Sequence, residues 1–320
     1  MRVAVLGVGA IGGLVAARLA KAGAELLLCA RGEMAQALSA VGMLLEKPDG
    51  RTVALSPDRW HVAETSENEV EARWQGWADV VILAGKATSA GALSRLADQI
   101  LTADGIAFSL SNGLGHAERL VGYLGRNRVL GASTTHGAIR LGPGEVRWAA
   151  PGKIDIGVLQ KSELSLDDAR VAELIQLLDD ADLSPAWSEE IERTIWTKLL
   201  LNVAINPVCA ICGIPNGGML ERPDLFEAGL AAMEEAARVA VAEGVDLSTL
   251  DLAETLTDLL RSTAPNRCSM LQDVMAGRAT EIESICGEVI RRGEEFGIPT
   301  PRNQTLAALV HGIGHAMRSA

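Results

Sequence analysis

The sequence is poor in aromatic side chains, which make up 3% of its 320 residues: six Trp, three Phe and one Tyr. Such a chain offers few platforms on which unpaired bases could stack. It also lacks a basic excess, since 41 acidic residues against 29 Lys and Arg leave a net charge of -12. A polyanion is repelled at long range by that charge, which argues against nucleic acid as a general partner and leaves room only for a local phosphate pocket. Cysteine is sparse and odd in number: Cys29, Cys209, Cys212, Cys268 and Cys286. No disulfide framework has that spacing, and the expected compartment is a reducing cytoplasm. No apolar run reaches the roughly 20 residues of a membrane span. The best candidate, residues 199–214, is interrupted by Asn202, Asn206 and Pro207. The opening MRVAVLGVG has no basic region ahead of a long apolar stretch, so it reads as a strand and not as a secretory signal.

What is present is ordinary globular composition, 48% apolar and 22% charged, with length for two domains at roughly 150 residues each. The first half alternates short apolar runs with helical periodicity, the pattern of βαβ units. Strands are expected at 3–6, 25–30, 79–83 and 105–110, helices at 11–22 and 89–101, and later strands over 129–156 around a Gly142-Pro143-Gly144 turn. The stretch 42–76 is expected to hold short strands and an edge helix. From Ser188 onward the chain reads as helices separated by Gly, Pro and Asn. The expected architecture is therefore a doubly wound, mostly parallel sheet of Rossmann type over residues 1–187, followed by an all-helical domain over 188–320.

Gly7-Val8-Gly9-Ala10-Ile11-Gly12 is a G-x-G-x-x-G that follows a strand and opens a helix. Gly7 permits the tight turn, Gly9 lets a pyrophosphate approach the backbone, and Gly12 lets the helix pack on the strand. The N–H groups of Ala10, Ile11 and Gly12 are placed to meet the anion. At the end of the second strand, Arg31 argues for NADP(H) through a guanidinium-phosphate pair, while the nearby Glu33 keeps NAD(H) open as the lesser choice.

In the second half, Lys198, Asn202 and Asn206 recur every four residues in an otherwise apolar run, which stacks them on one helical stripe. An ammonium and two amides in that setting are costly to bury without partners, so the register points to a polar pocket. Pro207 is expected to kink or end the helix beside Asn206. Ser269 with Gln272, and Thr280 with Glu283, have capping-box spacing, with Glu281 as a first-turn acid. Cys209 and Cys212 read as two small core residues in place of a redox pair, His311 and His315 as surface residues without a third metal ligand, and His136 as a hydrogen-bonded structural residue. No metal site is expected.

The GVGAIGG loop with Arg31, Ser111-Asn112-Gly113-Leu114-Gly115, Thr134-Thr135-His136-Gly137, KLLLNVAINPVCAICG from Lys198, SMLQDV from Ser269, GRATEIE from Gly277 and GIPTPRN from Gly297 together resemble the ketopantoate reductase family, end to end and in order. The resemblance implies NADPH-dependent reduction of 2-dehydropantoate to (R)-pantoate on the route to coenzyme A. It implies Lys198 as general acid, with Glu281 assisting. Asn202, Asn206 and Ser269 would bind substrate, and Asn112 and Lys86 would lie near the cofactor ribose and nicotinamide, Asn112 also reaching the substrate. A small 2-oxo acid is the implied partner of a cytoplasmic monomer or homodimer that uses neither nucleic acid nor membrane. Two positions depart from the family pattern: no glutamine stands three residues after Lys86, and Trp148 stands where a histidine is common. Reduction of another branched 2-oxo acid, or NADPH sensing without turnover, are the alternatives. A sensor has no need of Lys198 and Glu281 together.

Overall fold

The computed structural model describes residues 1–65, 69–86 and 89–319, with side chains described to residue 314. By packing, the chain divides into two compact units. One comprises residues 1–111 and 116–191, the other residues 112–115 and 192–320.

In the first unit the elements are β1 (Arg2–Leu6), α1 (Ala10–Lys21), β2 (Glu25–Ala30), α2 (Gly32–Ala40), β3 (Met43–Glu46), β4 (Thr52–Leu55), β5 (His61–Glu64), β6 (Ala78–Leu83), α3 (Ala90–Ile100), β7 (Leu101–Ser109), α4 (His116–Leu124), β8 (Leu130–Thr134), β9 (Gly137–Gly142), β10 (Glu145–Ala150), β11 (Ile154–Val158), α5 (Ala169–Asp180) and β12 (Pro185–Trp187). Five strands form an all-parallel sheet in the order β5-β2-β1-β6-β7. After Arg2 the central strand β1 is apolar, Val3 to Leu6, because helices cover both of its faces. Val3 and Val5 enter one buried cluster, and Ala4 and Leu6 enter another. From β1 the chain winds outward to β2 and β5, then returns to β6 and β7, so strand order reverses between β1 and β6. That reversal opens a crevice beyond the carboxyl ends of these two strands, the usual ligand position in open α/β sheets.

The remaining strands make two smaller sheets, β4-β3-β10-β9 and β12-β11-β8, each with parallel and antiparallel pairs. The stretch 42–76 holds β3, β4, β5 and only short 3-10 turns, in place of the expected edge helix; residues 66–68 of that stretch lie outside the described residues. Behind them, Arg18 is buried, hydrogen-bonded to Ala181 O at 2.7 Å and paired with Asp182, and its guanidinium stacks over Trp148 at 5.2 Å. His136 packs edge-on to Trp148. Its Nδ1 accepts from Gly152 N at 2.9 Å and its Nε2 donates to Leu183 O at 3.0 Å. Burial and the Arg18 charge hold this imidazole below its ordinary pKa, so it is a neutral structural clamp.

Among the described residues no strand follows Trp187. The second unit contains α6 (Ile191–Cys212, entering from the first unit), α7 (Pro223–Ala242), α8 (Leu252–Ser262), α9 (Ser269–Met275), a π-helical turn (Glu283–Gly287), α10 (Glu288–Phe296) and α11 (Pro301–Ser319). By length and mean hydropathy α6 could cross a membrane. Here its Leu199, Leu200, Val203, Ala204 and Cys209 are buried with Met233, Ala236, Leu256 and Ile285. Each such Leu, Ile, Val or Met side chain contributes about 1.5 to 3 kcal/mol when fully buried.

Two local expectations are corrected and one is narrowed. Of the kink or end expected at Pro207, the end does not occur: α6 runs five residues further to Cys212, although Pro supplies no N–H. Ser269 is the first residue of α9 and not its cap, because the Cys268 thiol accepts from Leu271 N at 3.4 Å. Cys212 is exposed and only Cys209 is in the core, since the last turn of α6 leaves the apolar cluster.

Candidate functional site

In the first unit the glycine loop follows β1. Gly7 has φ +94°, and a Cβ there would lie 2.7 Å from Gly85 Cα, in the turn that follows β6. A Cβ at Gly12 would overlap the Gly7 carbonyl. At Gly9 nothing lies within 4 Å of a Cβ position. The first two glycines named are thus demanded by packing, whereas Gly9 faces open space. It caps α1 without a side-chain hydrogen bond, so no capping side chain engages the first-turn N–H groups of Ala10, Ile11 and Gly12. These features fit a dinucleotide pyrophosphate.

Arg31 follows β2 as the exposed N-cap of α2, and its Nη2 points to Ser89 Oγ at 3.5 Å. Ser89, which caps α3, occupies the position where the family's glutamine is absent. Ala87 and Thr88 lie outside the described residues. Lys86 is half-buried in the loop after β6. Ser111 Oγ donates to Gly85 O at 2.7 Å and ties the end of β7 to that loop. Strand order therefore collects the glycine loop, Arg31 and Lys86 at neighbouring strand ends.

In the second unit Lys198, Asn202 and Asn206 lie on α6 at successive turns, the first two half-buried and the third buried. Lys198 Nζ donates to Asn112 Oδ1 at 2.9 Å, and Asn112 Nδ2 donates to Glu281 Oε2 at 3.0 Å. One amide thus meets an ammonium with its acceptor end and a carboxylate with its donor end. At the far end of the stripe, about 12 Å away at 1.5 Å per residue, the Cys268 thiol donates to Asn206 O at 3.7 Å, and Ser269 follows it, exposed. The unit therefore holds Lys198, Asn112 and Glu281 at one end of a polar stripe and Asn206 with the start of α9 at the other.

Sequence reasoning passed over two residues. Asn216 is buried, donates Nδ2 to Thr263 Oγ1 at 3.0 Å, and has its Oδ1 without a partner among the described residues; its Asn-Gly dipeptide signals only a turn. Ser284 fastens the loop that carries Asn112, meeting it at Leu114 and at Gly113, which the family-like segment already included; no local pattern marks Ser284. Among the described residues no group of His, Cys, Asp and Glu could hold a metal. His311, exposed, pairs with Glu283 Oε1 at 2.7 Å; the His315 side chain lies outside the described residues.

A parallel sheet with a bare glycine-loop helix, together with a helical unit bearing a lysine, an amide and a carboxylate in contact, defines a class, the two-part oxidoreductases. The chain belongs to the ketopantoate reductase family. Its residues 3–161 match the model described as "Ketopantoate reductase PanE/ApbA" and residues 190–314 the C-terminal model of the same family. A 2-dehydropantoate 2-reductase of Archaeoglobus fulgidus is 34% identical over 98% of this chain and 97% of its own. A PanE/ApbA family ketopantoate reductase from Ralstonia eutropha superposes with TM-score 0.85 at 29% identity, covering 99% of this chain and all of that one. A D-mandelate dehydrogenase solved with NADH and anilino(oxo)acetate shares the fold, with TM-score 0.87 at 24% identity over 99% of this chain and 100% of that one.

Proposed function

We propose that the protein reduces the ketone of 2-dehydropantoate to (R)-pantoate with NADPH, residues 1–187 serving the cofactor and 188–320 the substrate. The observation that carries this reading is the hydrogen-bonded set Lys198, Asn112 and Glu281 at the head of an amide-bearing helix. NADPH, when bound, supplies the hydride. As the ketone is reduced, negative charge grows on its oxygen. The Lys198 ammonium stabilises that charge more in the transition state than in the ground state and gives the oxygen its proton. Glu281 and Asn112 orient the ammonium. Asn202, Asn206 and Ser269 hold the carboxylate and terminal hydroxyl with neutral donors and acceptors, which fix orientation without adding charge.

On the cofactor side Gly7, Gly9, Ala10, Ile11 and Gly12 receive the pyrophosphate, Arg31 pairs with the 2′-phosphate, and Lys86 and Asn112 serve the nicotinamide half. On this reading the protein works in the cytoplasm, as a monomer or homodimer, on a small 2-oxo acid. Five free cysteines are consistent with that compartment. The test is a panel of 2-oxo acids assayed with NADPH and with NADH. Ketopantoate with NADPH should give the highest kcat/KM, and Arg31→Ala should raise KM for NADPH while leaving that for NADH nearly unchanged. Equal use of both cofactors would remove the role given to Arg31, and a better 2-oxo acid would replace ketopantoate.

A further inference from the structure

We infer that Ser284 is a positioning residue that sets the spacing between Glu281 and Asn112, an inference resting on the catalytic reading above. Ser284 sits in the π-helical turn Glu283–Gly287, and its side chain is buried. Such turns are rare, under 1% of residues, and recur at functional sites. The Ser284 hydroxyl and its N–H both donate to the Glu281 carbonyl at 3.1 Å, which fixes the backbone that carries the carboxylate. On its other side the Ser284 carbonyl accepts Leu114 N at 2.9 Å, two residues after Asn112.

The loop has no slack against this seat. Gly113 has φ +90°, and a Cβ there would overlap the Ser284 carbonyl; Gly115 has φ +84°, with Glu288 Oε1 2.9 Å from its Cβ position. One residue thus grips Glu281 by its carbonyl and Asn112 through the next two residues. The hydrogen bonds of 3.0 Å and 2.9 Å that join Glu281, Asn112 and Lys198 are held from that point.

The test compares the parent protein with Ser284→Ala, Gly113→Ala and Asn112→Ala, each checked for folding by circular dichroism. Two readouts are taken: the pH profile of kcat, and the Lys198 titration followed by carbon-13 NMR of its ε-carbon, assigned with Lys198→Ala. Loss of a hydrogen bond to the ammonium lowers its pKa, so all three variants should move the Lys198 titration, and the basic limb of kcat, to lower pH. Ser284→Ala should lower kcat by about tenfold, the scale of one hydrogen bond. Gly113→Ala should lower it by about a hundredfold, the scale of an ångström of misplacement. A purely structural serine would change thermal stability alone. Folded Ser284→Ala protein with the parent's Lys198 titration would overturn the inference even if Gly113→Ala fails to fold. The titration needs no substrate, so a parent inactive on every 2-oxo acid would overturn the proposed activity and still leave the positioning role decided.

Discussion

An asparagine amide accepts at one end and donates at the other, and Asn112 uses both ends, toward Lys198 and toward Glu281. An aspartate there could not donate to Glu281, and a leucine could serve neither partner. At this scale the decisive substitution is Lys198→Ala. If the ammonium only anchored substrate, its loss would raise KM and spare turnover. As proton donor, its loss should lower kcat by about two to four orders of magnitude, with NADPH affinity retained, as steady-state kinetics and cofactor titration would show. Glu281→Ala should also impair turnover, and the double variant should lose less than the two single effects combined, because groups that act as one unit are not additive. Lys198, Asn202 and Asn206 were legible from a four-residue register in an apolar run. The Asn112 contact was not legible from spacing, since 86 residues separate it from Lys198, and only the family resemblance marked it.

Elements are held by residues that sequence periodicity does not reveal. Helix α11 begins at Pro301, and its first amides face the buried Glu235 of α7. That carboxylate accepts from Arg302 N, Asn303 N and Asn303 Nδ2 at 2.9 to 3.0 Å. The buried carboxyl group is accommodated there because donors converge on it at the start of a helix. Glu235→Ala should cost about 2 to 4 kcal/mol, the sum of a lost cap and buried unpaired donors, and Glu235→Gln less, as measured by urea unfolding. From sequence, Glu235 is one more acid on an amphipathic helix.

The His136 clamp after β8 has a pH consequence. Its folded-state pKa lies below the ordinary 6.5, so between those two values the unfolded chain binds the extra proton and stability rises with pH. Melting temperature should therefore fall as pH drops below about 6.5, and His136→Gln should flatten that slope. An unchanged slope would assign the acid sensitivity to other groups.

For the whole molecule, the strand-helix alternation and the all-helical end were readable because period and glycine placement are local signals: β1, α1 and β2 fall within a residue or so of their expected limits. The two small sheets were less readable, because pairings such as Leu45 with Val146 depend on contacts far apart in sequence. The same limit hides the path of the chain. Residues 112–115 pack as part of the second unit, although the chain on both sides of them belongs to the first.

That excursion bears on inheritance. A chimera joining the first half of one relative to the second half of another, with its crossover near residue 187, takes Asn112, Gly113 and Gly115 from one parent. Lys198 and Glu281, which bond Asn112, and the Ser284 carbonyl and Glu288 carboxylate, which abut the two glycines, come from the other. The two halves therefore cannot be exchanged as independent cassettes unless four residues travel with the half they do not adjoin.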